Sequence, residues 1–459
     1  MTMVAELHDE LTPSERLRQL LDEGDDDGMR AFLDEFSHGS DLADLLEELD
    51  DEDRVRVLGV LAPEDPAMAA EALAEMEPEE HPEESLAALH PDQIAAVVAE
   101  LSDDDAADMI GELDPEDRDR VLSALSHQDA GDIRDLMAYD EESAGGIMTA
   151  ELVVVPVELT AAEAIDEVRR QAHEVEEFYG VVFVVDSENV LLGTVSLQAL
   201  VTSAPETRLV DLREEPIAAV LPETDQEEVG RVVSRYNLTI VPVVDSGGRL
   251  LGGVTFDDVI DVIEAETTED ILKFVGVSGE EEIRGGWWDA VRSRLPWLLV
   301  NLCTAAAGAM VVYLFEPAIK ELTFLAVLMP MVAGLGGNSG TQALAITIRR
   351  LALSRGETTE QRWAIVGKEF LVGLGNGLVI GLIVSVAAGL IQGDVRVGFV
   401  VMLAMWLNLT VGSFAGAFVP TVLERLKVDP AVASSIFVTA FTDMCGFFLL
   451  LGLATRFLM

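Results

Sequence analysis

Hydrophobic and polar positions alternate in three different ways along this chain, and each way predicts a different kind of element. To about residue 138, leucine returns with a period of 12, at Leu89, Leu101, Leu113 and Leu125, with Met137 continuing the series and Leu49, Leu61 and Leu73 forming an earlier run. Ser102 and Asp114-Pro115 follow two of these leucines and read as a helix N-cap and a proline at the first helical position. The pattern predicts short stacked helices, a small α-solenoid whose carboxylates are mostly scaffold surface. Between about 146 and 265, short apolar runs are separated by turn residues. Residues 184–196 match residues 243–255 at an offset of 59, with 8 of 13 positions identical. Each copy reads as strand, turn, strand, helix, preceded by a helix over 161–173 or 226–236. Beyond Arg294 the pattern changes again. Five stretches carry little or no charge, fenced by Arg294 and Glu316, Glu321 and Arg349, Glu369 and Asp394, Arg396 and Glu424, and Asp429 and Arg456. Each supplies the roughly 20 apolar residues that cross a bilayer.

The fold class is therefore multidomain: an all-α helical-repeat N domain over 1–138, an α+β duplicated pair over 139–265, a linking helix region over 266–295, and an all-α transmembrane domain with five spans over 296–459. The acidic, polar N-terminus does not read as a signal peptide. Arg292 and Arg294 precede the first span, five basic residues between Arg349 and Lys368 separate spans two and three, and Arg425 and Lys427 separate spans four and five. The positive-inside rule then puts the N-terminus inside the cell and the C-terminus outside, with Trp287, Trp288 and Trp297 as an interfacial belt. Residues 276, 279, 285 and 286 are glycine, so the link is not expected to be one continuous helix.

Composition sharpens this division. The chain of 459 residues carries 29 basic and 84 acidic residues, a formal charge of −55. Residues 1–289 hold net −58 and residues 290–459 net +3. Such a charge repels phosphates and excludes nucleic acid as a partner. Lysine occurs only at 273, 320, 368 and 427, against 25 arginines. Dense carboxylate with little lysine suits a halophilic protein, and it suits an acidic cation-binding region equally. Cys303 and Cys445 fall in apolar runs and read as small hydrophobes. All six histidines precede residue 174, and no catalytic triad, phosphate loop or zinc motif is evident, so the chain is not expected to be an enzyme.

Two features of the membrane region carry chemistry. In span two, residues 330–342 read Pro-Met-Val-Ala-Gly-Leu-Gly-Gly-Asn-Ser-Gly-Thr-Gln, with Gly334, Gly336, Gly337 and Gly340 within seven positions. Such a segment either lets backbones approach closely or lets a helix unwind to present carbonyls. Asn338 and Gln342 would be poorly satisfied in lipid and should face a partner or cavity. In span five, Asp443 is expected to be the one formal charge inside a span. A carboxylate there costs several kcal/mol unless paired or hydrated. With no basic residue nearby in that span, a transient cation in a water-filled path is the reading. Mg²⁺, a hard ion that keeps its waters, suits carboxylate and amide oxygens. A protonatable carrier site is the alternative.

The duplicated pair resembles a tandem pair of CBS domains, which sense small ligands. Thr255 and Asp258 look like the ribose-contacting positions of nucleotide-binding CBS repeats; the first copy has Ser196 but Ala199 in the Asp position, so the case for an adenine nucleotide rests on one copy. The whole order, acidic helical domain, CBS pair, five spans, Gly-Gly-Asn-x-Gly-x-Gln and a lone span-five Asp, resembles the MgtE family of magnesium channels and transporters. The resemblance implies a homodimer with one pore, Asp443 holding hydrated Mg²⁺, Gly336, Gly337, Asn338 and Gly340 along the same path, and small residues lining the pore just before Asp443, where Thr439 bears on its width. It also implies a gate that closes when cytoplasmic Mg²⁺ is high. On that motif fall Asp258, Asp261, Glu266, Glu269 and Asp270, with Asp225 and Glu227 in a second site, Asp429 as the membrane-domain partner and Asp105 from the N domain. Asp258, Asp261 and Glu269, spaced by 3 and 8, share a helix face, and close like charges call for cations. The expected function is Mg²⁺ transport across the cell membrane through a cytoplasmically gated pore. A proton- or sodium-coupled divalent-cation carrier and a non-conducting CBS sensor are the alternatives.

Overall fold

The computed structural model describes residues 12–127, 129–171, 178–277, 287–353, 359–426 and 435–459. It divides into two units, 1–264 and 265–459.

The first unit begins with ten short helices: α1 (Pro13–Glu23), α2 (Asp26–Leu33), α3 (Gly39–Glu47), α4 (Asp51–Leu61), α5 (Pro66–Ala74), α6 (Pro82–Ala87), α7 (Pro91–Val98), α8 (Asp103–Glu112), α9 (Pro115–Ala124) and α10 (Asp129–Leu136). Much of the local acid does helix-starting work. The side chains of Asp25, Asp50, Asp65 and Ser102 each accept a hydrogen bond from a backbone N–H of the first turn, and Pro13, Pro66, Pro82, Pro91 and Pro115 open their helices. Carboxylates in first turns also complement the helix dipole. The periodic leucines sit at the ends of these helices: Leu49, Leu61, Leu73, Leu89, Leu101 and Leu113 are buried there. Twelve residues is thus one short helix plus its connection, and the leucine is the plug that stacks each helix end on the next.

Arg54 is the unexpected member of this core. Only 2% of it is exposed. Its guanidinium donates to the carbonyls of Leu46 (3.1 Å) and Glu80 (2.6 Å) and pairs with the Glu80 carboxylate at 2.7 Å. Removing one partner of a buried charge pair strands the other. Arg54→Met should therefore destabilise the first unit by about 3 kcal/mol, measured by denaturant unfolding; an unchanged midpoint would contradict this role.

The duplication is visible atom by atom. β1 (Val154–Pro156) pairs in parallel with β2 (Val181–Val185), which pairs antiparallel with β3 (Leu191–Ser196); β4 (Ile240–Val244) pairs antiparallel with β5 (Leu250–Thr255). Both hairpins shift register at the same place, after Val184 and after Val243. In one turn Asp186 accepts from the N–H groups of Glu188 and Val190, and in the other Asp245 accepts from those of Gly247 and Arg249. The left-handed turn residue is Asn189 in the first copy (φ 62°) and Gly248 in the second (φ 81°). The two turns pair with each other, Leu191 N–H to Gly248 O and Leu250 N–H to Asn189 O. Helix α11 (Ala161–Gln171) precedes the first copy, which is followed by α12 (Leu197–Thr202) and α13 (Leu209–Leu212); α14 (Gln226–Tyr236) precedes the second copy. Residues 172 and 173, placed in the first of these helices by the sequence pattern, lie outside the described residues.

Helix α15 (Phe256–Val275) follows β5 and runs unbroken past the expected boundary at 265. It ends at Gly276, whose φ of 78° supports the closing bonds Gly276 N–H to Lys273 O and Val277 N–H to Leu272 O. The expected break in the link therefore begins here; Gly279, Gly285 and Gly286 are outside the described residues.

The second unit holds α16 (Trp287–Leu314), α17 (Glu316–Glu321), α18 (Phe324–Leu353), α19 (Thr359–Gln392), α20 (Val395–Arg425) and α21 (Ser435–Phe457). Among the described residues, five helices are long and apolar enough to cross a membrane: 290–314, 324–351, 363–392, 395–425 and 435–457. The Gly-rich segment does not unwind. α18 is continuous through it; Gly336 and Gly340 form a packing seam with α20, Gly337 faces α21, and Gly334 faces open space. A Cβ on Gly412 of α20 would come within 2.6 Å of the Gly336 carbonyl, and one on Gly416 would strike the Gly340 carbonyl. Hydroxyls seal the same seam, with Ser339 and Ser413 oxygens 2.7 Å apart. Small residues that let backbones touch are how helices associate where lipid offers no hydrophobic gain.

One expectation fails here. Asp443 is not the one formal charge inside a span, because the third apolar helix begins at Trp363 and so contains Lys368 and Glu369. Glu369 is only 3% exposed, on the stripe of α19 that also carries Ile365 and Gly373. Its one ion pair among the described residues is Lys368, at 3.7 Å. Taking Glu369 as the fence of the span hid it.

Candidate functional site

Asp443 lies on α21 beside a groove of about 410 Å³. The groove is lined from α16 by Asn301, Thr304, Ala305, Gly308, Ala309 and Val312, and from α21 by Thr439, Ala440, Asp443 and Phe447. Asp443 is half-buried and makes no hydrogen bond or ion pair among the described residues. Thr439, expected here, lines the groove one turn before it. Gly337 packs behind, where an added Cβ would meet Thr439 Cγ2 at 3.2 Å. Gly336 and Gly340 are buried in the seam with α20, and Asn338 and Gln342 are exposed on α18. Of the residues expected along the path, this chain brings Thr439 and Asp443 into one groove, with Gly337 as its backing. Asn408 of α20 was not anticipated. It is fully buried, donates to the Val332 carbonyl at 2.9 Å, and occupies the space that side chains at Gly336 and Gly446 would need.

The second cluster lies within the first unit. Asp104 and Asp105 at the start of α8, Asp108 one turn on, and Glu141 meet Asp257, Asp258 and Asp261 of α15, with Glu75 beside Asp261. Burial raises Asp104 well above the usual carboxylate range, and Asp258 and Asp105 add to it. Among the described residues, Asp104 Oδ1 has no hydrogen-bond partner. Asp108 keeps one edge in solvent, yet removal of water by the surrounding protein, with Asp105 and Glu141 nearby, pushes it up to about 7. Burial pushes Asp258 to about 6, although the Thr255 hydroxyl donates to it and opposes the shift. Asp261 is raised by partial burial and by Glu75. Among the described residues, the charges acting on Asp104, Asp108, Asp258 and Asp261 are those of other carboxylates. Among the described residues, no three His, Cys, Asp or Glu side chains are arranged to chelate a bare ion. The acids are close enough to repel one another.

The remaining expected ligands fall elsewhere. Asp225 caps α14 through the Glu227 N–H at 3.0 Å, and Glu227 reaches Arg231 at 3.5 Å. Glu266, Glu269 and Asp270 lie farther along α15, with Glu269 paired to Lys273 at 2.5 Å. Asp429 is outside the described residues. Asp105 does reach the cluster, and sequence reasoning passed over its neighbours Asp104 and Asp108. The available signal was their spacing of four, which puts both on the face that α15 covers.

The raised carboxylates fix a pH dependence. Each binds its proton more tightly folded than unfolded, so the stability it contributes is present at low pH and is lost as pH rises through about 6 to 7. Without divalent cations, melting temperature should fall between pH 5 and pH 8. Mg²⁺ should restore it at pH 8 and add little at pH 5. Asp108→Asn should flatten the profile. Equal melting at both pH values in wild type, by differential scanning fluorimetry, would contradict the cluster.

Together these features define a class: a multi-pass membrane protein with a lone carboxylate in an intramembrane groove and an acid-rich, CBS-containing region before it. Comparison with known proteins gives the particular family. Residues 329–453 match the family profile described as a divalent cation transporter, MgtE; residues 37–142 match the MgtE intracellular N domain; and 144–206 and 210–265 each match the CBS domain. The magnesium transporter MgtE of Thermus thermophilus is 35% identical over 459 aligned positions, covering 95% of this chain and 97% of that protein. Its counterpart in Enterococcus faecalis is 36% identical over 331, covering 72% of each. A crystal structure of the cytosolic domain of the Mg²⁺ channel MgtE in complex with ATP is 38% identical, with a TM-score of 0.50, covering 54% of this chain and 99% of that one. The chain belongs to the MgtE family of magnesium transporters.

Proposed function

We propose that this protein conducts Mg²⁺ through a channel-like pore past Asp443, and that Mg²⁺ bound between the helical N domain and the CBS pair closes it. The observation that carries the gate is the convergence of carboxylates from two domains, Asp104, Asp105 and Asp108 on one side and Asp258 and Asp261 on the other, with other carboxylates as the charges acting on Asp104, Asp108, Asp258 and Asp261 among the described residues. Without a cation this contact works against itself; a hydrated dication relieves it. The pore half of the reading rests on Asp443, an unpaired carboxylate beside polar groups within a span. The protein acts as a homodimer with one pore, its N-terminus and CBS pair in the cytoplasm. Glu266, Glu269, Asp270 and Asp429 serve as further bridging acids, with Asp225 and Glu227 as a second site. Gly336, Gly337, Asn338 and Gly340 shape the path, the glycines by bringing helices together. The link at 266–295 carries the sensor's state to the pore.

An adenine nucleotide is a second ligand of the CBS pair, supported by the ATP-bound relative. Thr255 and Asp258 are its ribose contacts here. They already bond each other, so nucleotide and Mg²⁺ both draw on Asp258. The experiment that separates a pore from a coupled carrier or a silent sensor is Mg²⁺ entry into liposomes at a clamped potential. Entry independent of pH and Na⁺ gradients supports the pore; dependence on either gives the carrier, and no entry gives the sensor.

A further inference from the structure

We propose that Asn301 and Thr304 of the first span are specificity-determining residues of the Asp443 groove, recognising the water shell of a hydrated divalent cation. The inference rests on the reading of that groove as the cation path and deepens it by naming what else the ion touches.

Four polar side chains line the groove: Asn301, Thr304, Thr439 and Asp443. Asn301 lies eleven residues into its apolar helix and Asp443 eight into its own, about 16 Å and about 12 Å along the axes at 1.5 Å per residue. They stand at comparable depth. An amide facing lipid there would be unsatisfied, and Asn301 makes no side-chain hydrogen bond among the described residues.

The hydroxyls have a particular polarity. Thr304 donates its proton to the Asn301 carbonyl at 2.9 Å, and Thr439 donates to the Ile436 carbonyl at 3.1 Å. Each hydroxyl has one proton, so what remains for the groove is lone pairs. Asp443, when ionised, also only accepts, and the Asn301 amide can turn its oxygen inward. Each of the four polar side chains can therefore present an acceptor to the groove. A bare ion wants such oxygens at about 2.1 Å, but these come from two separate helices. A hexahydrated Mg²⁺, about 7 Å across with Mg–O near 2.1 Å, presents only water protons at its surface. It fits within about 410 Å³, and some of its outward protons find acceptors on both helices. An ion that sheds water readily, such as Ca²⁺, gains less.

The test uses the full-length protein in liposomes. Its probe is hexaamminecobalt(III), an exchange-inert complex of hydrated-ion size that can only be read through its outer N–H groups. It should inhibit wild-type Mg²⁺ entry. Asn301→Leu with Thr304→Val keeps side-chain volume and removes both acceptors. That variant should raise the half-saturating Mg²⁺ and the half-inhibitory hexaamminecobalt(III) together, by about tenfold, the scale of one or two lost hydrogen bonds. Thr304→Ser should restore the Thr304 share. If both values stay within twofold of wild type while Asp443→Ala abolishes entry, the inference is overturned and the groove reading stands. If Asp443→Ala conducts as wild type does, the groove is not the path and both fall.

Discussion

Replacing Asp443 with alanine is expected to lower Mg²⁺ flux by about 100-fold or more while leaving the protein folded. The side chain is half-buried beside a groove and makes no hydrogen bond or ion pair among the described residues, so its loss removes chiefly charge. Asp443→Asn keeps the shape and an acceptor oxygen but loses the attraction of a full charge for a dication at low dielectric. Its flux should fall well below wild type and stay above alanine. Glu369 supplies the internal control, because it too is an acid within an apolar helix, but it is buried on α19 and does not line the groove. Glu369→Gln should stay within about threefold of wild type. Near-wild-type flux in Asp443→Ala, measured by a Mg²⁺-sensitive dye inside liposomes, would remove the site.

Neutralising Asp104, Asp108, Asp258 and Asp261 together to Asn should leave flux intact at low internal Mg²⁺ and shift the Mg²⁺ needed for closure upward by at least about tenfold. Asp104 is buried and Asp258 half-buried, with Asp108 and Asp261 at their solvent edge, and all four sit in mutual repulsion, so amides should also raise stability in the absence of cations. That pairing is diagnostic: a variant more stable without Mg²⁺ and less responsive to it has lost a binding site, not a fold. Monovalent salt offers a second discriminator. Molar KCl, with a Debye length of about 3 Å, screens the acidic surface of either protein alike and should compact both. Saturable compaction at millimolar Mg²⁺ should persist only in wild type, as read by small-angle scattering. If KCl alone gives the full effect in wild type, the acids are halophilic surface and not a sensor.

What could be read from the chain before folding was what local chemistry decides. The five apolar helices follow from span length, and the duplicated hairpins follow from turns in which Asp186 and Asp245 bind their own backbones. The leucine period reports helix ends because each short helix must bury its last turn. What stayed hidden depends on partners far away in sequence. Arg54 looks like any surface arginine until Glu80, 26 residues on, closes over it. Asp104 looks like one of a run of three aspartates until α15, some 150 residues later, covers it. The Gly-rich motif is compatible with unwinding or packing, and only the facing glycines of α20 decide for packing. Asn301 and Thr304 lie in an unremarkable apolar run, and their role emerges only when α21 is set beside them.

The central claim is that one molecule both conducts Mg²⁺ and is shut by it from the side bearing the acidic domains. The direct measurement is Mg²⁺ entry into liposomes in which Mg²⁺ on that side is stepped from micromolar to about 10 mM at fixed ionic strength and potential, with protein orientation scored by protease access. Entry should be rapid at micromolar Mg²⁺ and should fall by an order of magnitude or more by the top of the range, with no such fall when the same steps are made on the opposite side. Entry that is equally rapid at every step, or equally suppressed from either side, would contradict the account.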